Sequence, residues 1–389
     1  MATWIIRYDK LDTDQKNFVN TPITGNTWIA GFAGSGKSVL LVNKAVDLLN
    51  KQPGLRIVFV VYTQSLVDLF KTGLAQLGMP NISVVTVYDF LSGSSTYDYV
   101  LCDEVQDLSA SMVQAIRSRC SRYAIVAGDK FQSIFEKDVK YGQPTVDPVA
   151  LRNLLNANVT ELTKIYRLTP SIIDAVDKFL PTMHLAINGR PNAEKRDVSI
   201  KLCKCMNKRE ESSYVYNSAE RYIKQRERTA ILFPQHKDCI EFVNNVLDSK
   251  GKPQWVVTTN SYGRPNYRSM NDHLAANGIK LMYIGNGYGS LKEAEDRGIG
   301  VLMTYFSAKG LDFENVYMPY VSRDMFITYD EQRCKTVFMV AMTRSSNNLT
   351  ISYCGMPHQY VERFRAACTQ ITPESQSAPV SSGGVDFNF

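Results

Sequence analysis

Eight consecutive residues, Gly31-Phe32-Ala33-Gly34-Ser35-Gly36-Lys37-Ser38, satisfy the spacing GxxxxGK followed by a hydroxyl residue. Glycines let successive backbone N–H groups turn toward one anion, and a helix start behind them adds its positive dipole end. A lysine at the seventh position reaches β- and γ-phosphates, and a serine at the eighth can ligate Mg²⁺. Gly31, Gly34, Ser35, Gly36, Lys37 and Ser38 are therefore the candidate cradle for ATP and Mg²⁺. Such a cradle needs a carboxylate for the metal at the end of a buried strand. Tyr99-Val100-Leu101-Cys102-Asp103-Glu104, an apolar run ending in two acids, supplies it. Asp103 suits the metal shell, and Glu104 suits a general base that orients and deprotonates a water. Alone, two adjacent acids read equally well as a solvated strand end; beside the glycine loop they read as ATP hydrolysis. A small-molecule kinase would need a hydroxyl acceptor in place of a poised water, and Glu104 argues against it.

The elements that must position these groups alternate along the chain. Apolar, β-rich runs occur at Thr27–Ala30, Arg56–Tyr62, Ser83–Val87, Tyr99–Cys102 and Tyr123–Ala127, with helix-period segments at Val39–Leu49, Gln64–Leu77 and Ser109–Arg119 between them. The glycine loop thus lies between a strand and a helix, where phosphate binding requires it. A second alternating set follows: Ala230–Phe233, Gln254–Thr258, Lys280–Ile284, Gly300–Thr304, Asn315–Met318 and Leu349–Tyr353, with helices at Cys239–Ser249 and Thr336–Met342. Strands joined by crossover helices predict parallel sheets, hence an α/β fold of two domains. Pro144 and Pro148 in the polar segment Lys137–Val149 place the division at 145/146, giving domains 1–145 and 146–370. The Ser-, Pro- and Gly-rich tail 371–389 reads as disordered. Its tip, Asp386-Phe387-Asn388-Phe389, is either an inert end or a short docking peptide for a protein partner.

The 389 residues carry 44 Lys plus Arg against 38 Asp plus Glu, a net charge of +6 that permits a polyanionic partner without requiring one. With 44% hydrophobic residues, wholesale disorder is excluded. The eight cysteines form no CxxC pair and the four histidines are scattered, so reduced core thiols are expected rather than zinc. No apolar stretch is long enough to span a membrane, and the start of the chain is too polar for a signal peptide. A cytoplasmic protein is expected, with no membrane partner.

Asp103-Glu104-Val105-Gln106-Asp107 resembles the DExQD signature of the UvrD/Rep/PcrA-like superfamily 1 helicases, and further segments follow in that family's order. LDTDQ, ending at Gln15, is similar to the adenine-reading Q motif. VYTQSL, with Thr63 and Gln64, and VTVYDFL, with Thr86 and Tyr88, resemble nucleic-acid-contacting segments. Gly128–Phe135 matches GDxxQSIY, which makes Gln132 a γ-phosphate sensor. Tyr166-Arg167 resembles the pair that stacks on adenine and meets the γ-phosphate. Thr304–Phe313 is similar to THxxKGLEF, with Asp312 as the acid near the ribose. Glu331–Leu349 resembles ExRRLxYVAxTRAxxxL, which makes Arg344 an arginine finger. The resemblance spans residues 8 to 353. It implies two tandem RecA-like P-loop NTPase domains, ATP and Mg²⁺ in the cleft between them, and translocation 3′ to 5′ on single-stranded nucleic acid, DNA rather than RNA. Lys37, Glu104, Gln132, Arg167 and Arg344 would carry the catalysis.

The match also departs from the family. The interval from Thr63 to Asp103 leaves no room for an accessory domain, and that from Arg167 to Thr304 at most a small one, which suggests a compact motor of phage, plasmid or bacterial-defence type. Where the family stacks a Trp on a base after QSIF, this chain has Lys137, which can hold a phosphate but cannot stack. The family's His after Thr304 is replaced by Tyr305, and Phe306 is either a substitute stacking face or core packing. The basic runs Lys201–Arg209 and Arg221–Arg228 read as solvated faces or as groove lining. These departures keep a second reading open: a regulatory ATPase switch that binds nucleic acid or a protein without processive unwinding.

Overall fold

The computed structural model describes residues 5–129, 131–134 and 142–373. Two wholly parallel sheets organise them. The first holds β1 (Thr27–Gly31), β2 (Ile57–Val61), β3 (Ser83–Thr86), β4 (Tyr97–Cys102), β5 (Cys120–Gly128) and β6 (Asn158–Leu162), in the order β3-β2-β4-β5-β1-β6. A two-stranded ribbon, β7 (Lys164–Ile165) with β8 (Arg190–Pro191), leads to the second. That sheet contains β9 (Ile200–Cys205), β10 (Thr229–Phe233), β11 (Leu281–Tyr283), β12 (Gly300–Thr304), β13 (Phe313–Met318), β14 (Ser345–Cys354) and β15 (Cys368–Ile371), in the order β11-β12-β10-β13-β14-β9-β15. Parallel strands need crossovers, and helices cover both faces, so the central strands are buried on either side; β2 and β10 are buried at every position.

The strand order explains why the chemical motifs lie so far apart in sequence. β1, β5 and β4 are neighbours, and all three run the same way. Their C-terminal ends therefore bring the glycine loop, the segment after Gly128 and the Asp103-Glu104 pair to one edge, the usual ligand edge of an open α/β sheet. In the second sheet the contribution is reversed. Asp312 and Arg344 immediately precede β13 and β14, whose first residues, Phe313 and Ser345, are paired. The Phe313 N–H donates to the Arg344 carbonyl at 2.9 Å, which fixes the two functional side chains side by side.

Several expectations change. β6 pairs with β1 from Asn158 to Leu162, so the first sheet continues past the expected division at 145/146. Gln254–Thr258 joins neither sheet; the Trp255 N–H is bound by the Asn244 side chain at 2.8 Å, which takes its backbone away from strand pairing. Part of the basic run Lys201–Arg209 is β9, a strand with Leu202, Cys203 and Cys205 buried, while Lys204 is exposed. Ile371, the first residue of the expected tail, ends β15, and the tail from residue 374, with its tip, lies outside the described residues. All eight cysteines are free, most of them in apolar surroundings. No described helix is long and apolar enough to cross a membrane.

The connection between the sheets carries its own apolar anchor. The helix Pro170–Phe179 is capped by the Thr169 hydroxyl on the Ile172 N–H and buries five residues. At its end Phe179 meets the rings of Phe338, Tyr360 and Phe364, all beneath the second sheet. Replacing Phe179 with Ala should cost about 3–5 kcal/mol. Urea unfolding of the full chain measures it, and an unchanged midpoint would show that this helix does not hold the connection to the second sheet.

Candidate active site

The glycine loop is shaped by close approach. Gly34 and Gly36 have φ of 73° and 91°, backbone that L side chains rarely adopt. A Cβ on Gly34 would lie 2.4 Å from the Arg167 Cβ, and one on Gly36 2.8 Å from the Gln15 Nε2. The glycines are thus what lets Arg167 and Gln15 reach the loop. The Tyr166 N–H donates to the Gly34 carbonyl at 2.9 Å, lacing the Tyr166-Arg167 segment directly to the cradle. Gly36 caps the helix Lys37–Lys51. Lys37 donates to the carbonyls of Gly31 and Phe32 at 2.9 and 3.0 Å. The Ser38 hydroxyl donates to Asp103 at 2.5 Å.

Behind Ser38 lies a buried acid cluster. Burial and the neighbouring Glu104 push the Asp103 carboxyl up to about 6, against the pull of Ser38 and Lys37. Burial also works to raise Glu104, but Lys309, Lys37 and Arg344 outweigh it and hold this carboxyl below its usual range. The two adjacent acids are therefore driven apart, with Glu104 the one kept ionised. Glu104 sits in left-handed backbone, φ 55°, and accepts from the Gln106 amide, whose oxygen accepts from the Asp129 N–H at 3.1 Å.

The second sheet closes the site. Lys309 crosses to the first and donates to Asp107 and to the Gln132 carbonyl, both in short contacts, with Glu104 at 3.9 Å. Both ends of this ion pair are buried. Gln132 donates to Asp129 at 2.9 Å and accepts from the Arg344 Nη2 at 3.0 Å. Arg344 is also tied to the carbonyls of Val340 and Leu311 and to the Thr343 hydroxyl. Burial, and next Arg167, bring its guanidinium down to about 10, which leaves it charged at neutral pH. Asp312 lies between Arg167, at 3.8 Å, and Arg228, at 3.1 Å. These cations outweigh its burial and lower its carboxyl. Arg228, the last residue of a run expected at a surface or groove, is instead committed to Asp312.

A cleft of about 270 Å³ between the sheets is bordered by Gln15, Gly34, Gly36, Lys37, Ser38, Glu104, Gln132, Tyr166, Arg167, Asp312 and Arg344. All five expected catalytic residues meet there. Asp103 lies just under Ser38, and Gly31 and Ser35 form the base of the loop, a Cβ on Gly31 falling 2.5 Å from the Ser35 hydroxyl. Gln15 is held by its own helix: its side-chain oxygen accepts from the Asp12 N–H at 3.2 Å while Asp12 caps the Gln15 N–H at 2.9 Å. The Tyr166 hydroxyl donates to Asp12 in a short contact. Lys195, which sequence reading passed over, also borders the cleft, its ammonium 3.0 Å from the Asn347 side chain. Asp107, Lys309, Gln106 and Asp129 were missed as well, though each lies inside or beside a recognised motif.

The expected nucleic-acid residues collect elsewhere. Thr63, Thr86 and Thr304 stand at or just beyond the C-terminal ends of β2, β3 and β12, outside the cleft. Thr63 and Thr86 cap the helices that follow. Gln64 opens the first of these, and the Tyr88 hydroxyl is 3.2 Å from that of Tyr62. Thr304 is buried, 2.9 Å from the Ser307 hydroxyl. Phe306 packs against the core with the Arg333 guanidinium 5.1 Å from its ring centre, so one face is already covered. Lys137 lies outside the described residues.

The donor set fits a magnesium nucleotide. Ser38 and Asp103 are hard oxygen ligands already paired, and Mg²⁺ commonly takes only one or two protein oxygens beside phosphates. The buried Ser35 hydroxyl has no hydrogen-bond partner among the described residues, a polar group facing the cradle.

Comparison with known proteins supplies the family. Residues 27–168 match the viral superfamily 1 RNA helicase core domain, and residues 279–356 match the UvrD-like helicase C-terminal domain. Among solved structures, the C-terminal domain of a possible DNA helicase from Lactobacillus plantarum WCFS1 aligns over 53% of this chain and 98% of its own, at 16% identity and TM-score 0.33. The PRRSV helicase aligns over 87% of this chain at 14% identity and TM-score 0.43, and the alignment spans 54% of that helicase. No curated protein matches significantly.

Lys309→Met leaves the Asp107 carboxylate buried without its cation and should destabilise the protein by about 3–5 kcal/mol. Adding Asp107→Asn should restore much of the loss; thermal denaturation of the single and double variants checks this, and strictly additive losses would deny the pair. Asp103, raised to about 6, is protonated below that pH, so divalent-cation affinity should fall as pH drops from 7.5 to 5.5. Titration with Mn²⁺ at the two pH values measures it, and equal affinities would contradict the assignment.

Proposed function

We propose that this chain, which belongs to the superfamily 1 helicases and carries a UvrD-like C-terminal domain, is an ATP-driven motor moving 3′ to 5′ along single-stranded nucleic acid, with DNA preferred over RNA. Family membership makes it a nucleic-acid helicase or translocase that consumes nucleoside triphosphate. The ATP-driven part of this reading is carried by one observation: Arg344 of the second sheet hydrogen-bonds Gln132 of the first beside the cleft that Lys37 and Glu104 also border, while polarity and DNA preference rest on the family resemblance alone.

The proposed roles follow from charge and position. The loop backbone and Lys37 bind the phosphates, and Ser38 with Asp103 would hold Mg²⁺, whose charge neutralises phosphate oxygens when it is bound. Tyr166 and Gln15 border the adenine end, and Asp312 orients Arg167. Glu104, kept ionised by three cations, takes the proton from the attacking water. Arg167 and Arg344 set positive charge against the transferring group from the second sheet. Gln132 joins Arg344 to the first sheet, so loss of the γ-phosphate alters a contact shared by both. The domains are proposed to divide in the connection after β6, not at 145/146. Thr63, Gln64, Thr86, Tyr88 and Phe306 are proposed strand contacts along the C-terminal strand ends, and the buried Thr304 is proposed to hold the turn behind them through Ser307.

Glu104→Gln should bind ATP and fail to turn it over. Arg344→Lys keeps a charge but loses the planar fork, and should lower kcat by at least about 100-fold with a smaller change in nucleotide affinity. Phosphate release and nucleotide-binding assays test both, and normal turnover by either variant removes its assigned role. Displacement of a short duplex should require a 3′ tail; displacement from a 5′ tail alone would reverse the polarity.

A further inference from the structure

The second sheet carries an element that the cleft does not use. Residues 258–266, between Trp255 and the helix Tyr267–Ala276, form a tight hairpin. The Asn266 N–H donates to the Thr258 carbonyl and the Asn260 N–H to the Arg264 carbonyl, each at 2.8 Å. The Asn260 side-chain oxygen accepts from the N–H groups of Tyr262 and Arg264, at 2.9 and 3.1 Å. The turn is therefore ordered by its own bonds. Yet Tyr262 at its tip is 86% exposed, a large aromatic side chain that contributes nothing to the core.

The stretch of chain that carries the hairpin is basic, with Asp272 one helical turn beyond Arg268. Between Asp248 and Asp272 the charged residues are Lys250, Lys252, Arg264 and Arg268, with no acid among them. Both arginines are exposed. An exposed aromatic on a rigid turn, flanked by arginines, is the chemistry that recognises unpaired bases and their phosphates.

The hairpin is also fastened to the strand-facing edge. The Asn260 amide donates to the Tyr288 hydroxyl at 3.2 Å. Tyr288 meets Tyr267 edge-on, and Tyr267 stacks on Tyr283 with ring centres 4.0 Å apart. Tyr283 ends β11, and its hydroxyl lies 2.7 Å from the His236 Nδ1. The loop after β11 presses on the turn after β12: a Cβ on Gly285 would lie 3.2 Å from the Ser307 hydroxyl, itself bonded to Thr304.

We propose that the hairpin 258–266 is a binding element for single-stranded nucleic acid, with Tyr262 stacking on an unpaired base and Arg264 and Arg268 holding the flanking phosphates. The inference rests on the motor reading above and adds a contact beyond the strand ends that reading uses.

The test is binding of an end-labelled oligothymidylate, and of the same length of oligouridylate, by fluorescence anisotropy at several salt concentrations. One base is replaced by 2-aminopurine to report stacking. Tyr262→Ala should weaken binding about 5- to 150-fold and abolish 2-aminopurine quenching, while Tyr262→Phe retains both. Arg264→Ala and Arg268→Ala should each reduce the salt slope by about one phosphate contact. ATP hydrolysis without nucleic acid should stay at the wild-type rate in all four variants. Wild-type affinity and quenching in Tyr262→Ala would overturn the hairpin's role and leave the motor reading intact. Failure of the wild-type protein to bind either oligonucleotide would overturn the motor reading itself.

Discussion

A lysine buried among acids that belong to the opposite sheet is the constraint on which the molecule turns. Lys309 leaves the second sheet and ends between Asp107, Glu104 and the Gln132 carbonyl of the first. A buried ammonium without these partners would be costly, and so would the acid cluster without the ammonium. Neither half is electrostatically complete alone. Arg344, reaching Gln132 through the same interface, repeats the pattern with a guanidinium. The halves are thus joined where a charged ligand would sit, so a change in ligand charge acts on the joint itself.

That joint is close in sequence to the proposed strand-facing edge. β12 ends at Thr304, and the turn that follows carries Ser307, Lys309 and Gly310 before Asp312 opens the way into β13. Gly310 is pressed so tightly on Leu66 that a Cβ would lie 2.9 Å away. One short turn therefore touches the strand end, the acid cluster, the first sheet and the cleft. Packed interiors shift between discrete arrangements rather than deforming smoothly, which suits such a turn to passing on a step.

The motifs with local chemistry were legible in the sequence. The glycine loop declared itself through backbone needs, and Asp103-Glu104 through an apolar strand that ended in acids. Lys37, Glu104 and Gln132 meet at one edge because β1, β4 and β5 run the same way, while Arg167 and Arg344 reach it from the connection after β7 and from the start of β14. Other features were not legible, for physical reasons. β6 reads as polar because it is an edge strand with no fully buried position, and β9 is disguised by Lys201 and Lys204 at its less buried positions. Gln254–Thr258 looked like a strand, but side-chain bonds from Asn244 took its backbone. Lys309 and Asp107 are 202 positions apart, and no local pattern announces that a lysine in one motif neutralises an acid in another.

In the proposed function, a triphosphate held between the two sheets is hydrolysed in response to a bound strand. The rate of phosphate release from ATP, measured with and without saturating single-stranded DNA or RNA, tests it most directly. The basal rate should be slow and should rise when the strand is added. Hydrolysis at one unchanging rate, or none under any condition, would contradict it.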